Sequence, residues 1–82
     1  MGQRPRTRPK HLAAKLLAIR QRRGLSQSQM AKLLKLKTSY ARVSEYENGF
    51  REPNLLVLLR YSEVAGVHME TLINDKVKLP EK

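Results

Sequence analysis

Cysteine is absent from all 82 residues, which excludes a disulfide framework and any thiolate metal site and suits a reducing compartment. No apolar run reaches the roughly 20 residues that a membrane-crossing helix needs. The opening Met1-Gly-Gln-Arg-Pro5 also lacks the apolar centre of a secretion signal, so the expectation is a soluble, cytoplasmic protein. Histidine occurs only at His11 and His68, and no carboxylate pair stands at ligand spacing. Neither a metal site nor a catalytic triad is suggested, and the chain is expected to be no enzyme and to need no cofactor. The length leaves room for one domain with a modest core, for which five compact helices on short connections are a natural solution.

Acidic residues are missing from the first half. Residues 1–44 carry 12 Lys or Arg and no Asp or Glu, while residues 45–82 carry 5 basic against 7 acidic residues, within a net charge of +10. Such asymmetry is the footprint of a phosphate-backbone partner; on charge alone, a solvated basic surface or attraction to an anionic membrane face is the competing reading. The first ten residues concentrate the pattern, because Arg4-Pro5-Arg6-Thr7-Arg8-Pro9-Lys10 alternates cation with proline and cannot form a helix. Residues 1–10 are therefore expected to be a flexible basic arm, extended or disordered. Arg4, Arg6 and Arg8 either track phosphates or enter a minor groove, or the arm is a solubilising tail.

Helical periodicity starts after the arm. Leu12, Leu16 and Ile19, widened by Ala13 and Leu17, predict a first helix from about 11 to 23 that Gly24 ends. Ser26 can cap a second helix while Gln29 reaches back to it and Leu25 staples onto Met30; this helix, from 27 to about 35, is expected to bury Met30, Leu33 and Leu34, with Ala31 allowing close approach. A third opens on Thr38 or Ser39 and stops at Asn48-Gly49, where glycine accepts the left-handed conformation. Asn54, after Pro53, should cap a fourth whose Leu55, Leu58, Leu59, Tyr61 or Ser62, and Ala65 face the bundle until Gly66. A fifth starts near His68 with Met69, Leu72 and Ile73. Residues 11–75 thus form the domain. In the tail, 76–82, Val77 and Leu79 either dock on the fifth helix or make a dimer contact.

The ordered set Arg20, Gly24-Leu25-Ser26-Gln27, Ala31, Leu34, Ser39, Glu47-Asn48-Gly49 and Arg51-Glu52-Pro53 resembles the XRE, or Cro/CI-type, helix-turn-helix domain of bacterial and phage transcriptional regulators. The likeness continues through Leu55–Arg60 and Gly66–Ile73, so it covers roughly residues 11–75. It implies an all-α, five-helix, lambda-repressor-like domain that binds double-stranded DNA, with two copies on a two-fold related operator and the recognition helix, about 39–47, in the major groove. A protein-interaction module on the same fold, antitoxin-like or coactivator-like, is the alternative. No membrane partner is expected.

Aligned backward from Tyr46, Glu47 and Gly49, the resemblance puts Tyr40, Ala41, Arg42, Ser44 and Glu45 on the groove-facing surface and turns Val43 and Tyr46 inward. Tyr and Ala suit a thymine methyl, Arg a guanine and Glu a cytosine amino group; equally, Glu45 can pair with Arg42 at i, i+3. Phosphate contacts fall to the start of the second helix with Gln27, to Asn48 and Arg51, and to Arg23 and Lys37, although Asn48 also serves as a helix terminator. Arg20 and Glu47 are expected to form a partly buried pair, with an exposed Glu47 as the alternative. One departure stands out: Leu34-Lys-Leu-Lys-Thr-Ser39 is about two residues longer than the family turn and has no glycine. Lys35 or Lys37 must therefore adopt a strained cap conformation, or the second helix runs on before breaking, with Leu36 keeping the buried place in the turn.

Overall fold

The structure, a computed structural model, describes residues 8–37 and 40–80. Arg4 and Arg6 of the arm, and the Thr38-Ser39 start expected for the third helix, lie outside them. Five helices follow in order: α1 Leu12–Arg22, α2 Gln27–Leu33, α3 Ala41–Glu47, α4 Leu55–Ala65 and α5 Met69–Ile73. Among the described residues there is no strand, and no helix is long and apolar enough to cross a membrane.

The helix ends follow from local chemistry. Ser26 Oγ accepts from the Gln29 N–H at 3.0 Å while Gln29 Oε1 accepts from the Ser26 N–H at 2.8 Å, so the capping box is complete. Asn54 Oδ1 accepts from the Val57 N–H at 2.9 Å at the start of α4. The ends of α1 and α3 carry paired turn hydrogen bonds, Gly24 to Gln21 with Leu25 to Arg20, and Gly49 to Tyr46 with Phe50 to Glu45. Gly24 and Gly49 take positive φ there. The same motif closes α2 without glycine: Lys35 N–H donates to Lys32 and Leu36 N–H to Ala31, with Lys35 at φ 58°. Of the readings left open for the long turn, the strained cap is the one realised, and α2 ends at Leu33 instead of running on to Lys35.

Leu12, Leu16, Ile19, Met30, Ala31, Leu34, Val43, Tyr46, Val57, Leu58, Tyr61 and Leu72 form the core. Three leucines expected inside are outside: Leu33 is 48% exposed, Leu55 74% and Leu59 40%. Helical rotation of about 100° per residue accounts for this. Met30, Ala31 and Leu34 share one face of α2, and Leu33 falls to its side. On α4 the inward face is Val57, Leu58, Tyr61 and Ser62, which leaves Leu55, Leu56 and Leu59 on the opposite surface. Tyr61 is fully buried, meets the Tyr46 ring edge-on at 6.4 Å between centroids, and has no hydrogen-bond partner for its hydroxyl among the described residues. Burial, and then the Glu47 charge, push that phenol above its ordinary pKa, so it stays neutral.

Two polar groups that the sequence reading passed over join the ends of the domain. Lys15, on the apolar face of α1, is buried, and its Nζ donates to the carbonyl oxygens of Thr71 (2.7 Å), Asn74 (3.0 Å) and Val77 (2.7 Å). Those three bonds use all three ammonium protons on carbonyls at and beyond the end of α5. Asp75 receives the Lys10 N–H at 2.8 Å and the His11 N–H at 3.0 Å, and so caps α1 from across the fold, where His11 makes no side-chain cap bond. The tail also reaches α1. Leu79 packs on the core and Arg22 donates to the Pro80 carbonyl at 2.6 Å.

Candidate nucleic-acid interface

The residues expected to face a groove begin with an aromatic. Tyr40 and Ala41 are exposed, Arg42, Ser44 and Glu45 are partly exposed, and Val43 and Tyr46 are buried. The period of α3 therefore separates the two sets as the backward alignment requires. Tyr40 stands at the cap position immediately before the first helical residue of α3, Ala41.

Behind this surface α3 is held by an ion pair. Arg20 on α1 grips Glu47 with two bonds, Nε to Oε2 at 2.6 Å and a terminal nitrogen to Oε1 at 3.1 Å, and its other terminal nitrogen donates to the Leu25 carbonyl at 2.9 Å. Gln27 Nε2 adds a third bond to the carboxylate, 3.1 Å from Oε1. The side chains are 17% and 6% exposed, so the expected partly buried pair is present. Hydrogen bonding to Glu47 raises the Arg20 pKa above its ordinary value against an opposing effect of burial. A two-bond guanidinium–carboxylate contact fixes orientation as well as position, and here it ties α1, the start of α2 and the end of α3 together. Gln27, expected at a phosphate, thus has a structural partner that the sequence reading did not assign. Its place one turn before Met30 and Ala31, on their face of α2, was the available signal.

Glu45 is also engaged. Its Oε1 lies 3.2 Å from Arg42 Nε and accepts from Arg51 Nε at 3.0 Å. The i, i+3 pair with Arg42 was among the alternatives; the contact with Arg51, six residues on, was not. The other expected phosphate residues divide. Arg8 and Lys10 line one cleft with Tyr46, Gly49 and Arg51, so the base of the arm lies beside the α3–α4 loop. Asn48 is exposed and its Oδ1 accepts from the Phe50 N–H at 2.9 Å, which makes it a terminator of α3. Lys37 is exposed in the turn. Arg23 stands apart, in a different cleft with Ala65, Gly66, Val67 and Leu79.

The helix-turn-helix family model HTH_3 matches residues 16–72. In fold the chain is similar to the P22 c2 repressor protein, in its crystal structure with synthetic operator 9T, with a TM-score of 0.70 and 22% identity, over 78% of this chain and 94% of that one. No curated protein matches the chain closely enough to stand as a relative. The family match runs from the middle of α1 to the last buried residue of α5, so that it takes in Arg20, Glu47 and the whole outward surface of α3, and the protein belongs to the helix-turn-helix family.

Proposed function

We propose that this protein binds double-stranded DNA sequence-specifically as a transcriptional regulator, with α3 in the major groove. The observation that carries the reading is the outward surface of α3, clamped from behind by Arg20, Glu47 and Gln27. Tyr40 and Ala41 offer apolar contact to thymine methyls, Arg42 a two-bond grip on guanine, and Ser44 a hydroxyl to either base class. Glu45, expected at a cytosine, lies between two arginines on the same surface. Arg51, Asn48, Lys37 and Gln27 take phosphates, joined by Arg8 and the arm residues Arg4 and Arg6; Arg23, on another cleft, is the weakest member of that set. The cytoplasm of a bacterial or phage-infected cell is the location this role implies, and two copies on a two-fold related operator are the arrangement. Residues 1–10, 11–75 and 76–82 act as arm, domain and C-terminal tail.

The leucines on the outer face of α4 favour a second reading, a protein-interaction module on the same fold, because Leu55, Leu56 and Leu59 turn an apolar surface to solvent. Selection from a random duplex pool, followed by affinity measurements over a range of salt, separates the two. The DNA reading expects an enriched sequence and a log-log salt slope of about −0.9 per phosphate neutralised. Deleting residues 1–10 should weaken binding to every sequence and flatten that slope, and should lower melting by no more than the loss of the Lys10 N–H to Asp75 bond accounts for. No enrichment, with a flat salt response, would leave the protein-interaction reading in its place.

A further inference from the structure

We propose that Glu45 reads no base and instead sets specificity by position: its carboxylate holds Arg42 of the reading helix and Arg51 of the α3–α4 loop, so that base reading and backbone clamping are coupled. The proposal rests on the DNA-binding reading above and deepens it. One carboxylate oxygen serves both guanidinium groups, 3.2 Å from Arg42 Nε and 3.0 Å from Arg51 Nε. The same residue's carbonyl oxygen accepts from the Phe50 N–H at 2.9 Å and the Arg51 N–H at 3.2 Å. Residue 45 therefore fixes the loop through its main chain and the arginine on that loop through its side chain.

The geometry of the pairing matters. A guanidinium has five N–H groups, one on Nε and four on its terminal nitrogens. Contact through Nε occupies the inner edge, while the two-bond grips on guanine or phosphate can be made by the terminal nitrogens. Glu45 thus orients both arginines without taking the donors that such grips use. Long side chains lose rotamer freedom when they bind, and holding them beforehand reduces that loss at a site of matching shape.

Electrostatics adds discrimination. Glu45 is partly exposed on a surface meant for a polyanion, and its charge is offset only while the arginines stay beside it. A sequence that lets Arg42 and Arg51 bind without leaving Glu45 keeps that balance. Any other sequence draws the arginines away to phosphates and leaves a carboxylate facing negative charge, which weakens the wrong complexes more than the right one.

The test compares Glu45→Gln and Glu45→Asp with the wild type on the selected duplex and on a random-sequence duplex at one salt concentration, with each variant's melting measured alongside. Glu45→Gln should bind random duplex more tightly, and its ratio of selected to random affinity should fall about tenfold, the size of one lost base discrimination. Glu45→Asp keeps the charge but loses reach, so the ratio should fall without tighter binding to random duplex. Arg51→Ala should cost less affinity in the Glu45→Gln background than in the wild type. A preference that switches at a single base pair would overturn the proposal in favour of direct reading by Glu45, and unchanged ratios or additive Arg51 and Glu45 effects would overturn it outright. Absence of duplex affinity in the wild type would instead overturn the DNA-binding reading beneath it.

Discussion

Lys35 holds φ at 58°, where a side chain crowds the following carbonyl and the left-handed backbone costs roughly 1–2 kcal/mol relative to the right-handed one. The cost is accepted because the paired bonds from Lys35 to Lys32 and from Leu36 to Ala31 close α2 and bring Leu36 onto the core. Gly24 and Gly49 do the same work for α1 and α3 at φ 67° and 79° without that crowding. Lys35→Gly should therefore stabilise the fold by about 1 kcal/mol, less whatever glycine adds to the freedom of the unfolded chain. In a domain of this size that is a rise of about 4–8 °C in melting temperature. A melting temperature that falls would show that the lysine side chain contributes more than its backbone conformation costs. The strain was legible before the structure, since a turn with no glycine must place some other residue there. Lys15 was not legible in the same way: a lysine beside Leu16 reads as the edge of an apolar stripe, and its three carbonyl partners come from residues 71 to 77, which nothing local announces.

Helix faces are set by period, and the period was read well where one apolar stripe was unambiguous, as on α1 and α3. It was read less well on α2 and α4, where leucines occupy more than one face and sequence alone does not say which neighbour claims which. Contacts of α2 with α3, and of α4 with α1 and α5, decide it, and Leu33, Leu55 and Leu59 lose. Arg60 then takes a role no periodicity implies, donating to the Leu34 carbonyl at 3.0 Å and closing the end of α2 from α4. At this scale the Arg20–Glu47 contact is the joint that sets α3 against α1. Removing one partner strands the other in a site where both side chains are largely buried, a loss of up to about 3–5 kcal/mol under complete burial and less here because Arg20 keeps some access to water. Glu47→Ala should lower stability and DNA affinity together, and Arg20→Ala should cost a comparable amount. The double variant should cost less than the two losses added, since each single change already breaks the pair. Thermal melts of the three variants check this, and near-zero, additive losses would remove the pair from the account of the fold.

Over the whole molecule, the acid-bearing half closes on the cationic half. Asp75 lies beyond α5, yet its carboxylate takes the Lys10 and His11 N–H groups at the entrance to α1, in the segment where the arm meets the domain beside Arg51. The Lys10 N–H first and the His11 N–H second hold its pKa below the ordinary value of 3.8, against a small opposing effect of desolvation. A carboxyl group whose folded pKa is depressed contributes stability that is present above its unfolded pKa and is lost as pH falls through the folded one. The Asp75 contribution should accordingly be complete at neutral pH and disappear only below the ordinary carboxylate range. Asp75→Asn keeps one acceptor oxygen but places an amide nitrogen, which cannot accept, where the second oxygen stood. The variant should melt lower than the wild type at pH 7, and the two curves should converge as acid protonates Asp75. Because the same contact fixes Lys10 at the base of the arm, Asp75→Asn should also weaken duplex binding in the full chain but have little effect on a chain already lacking residues 1–10. Equal melting at neutral pH, or an equal binding loss with and without the arm, would show that the bridge between the two ends neither caps α1 nor aims the arm.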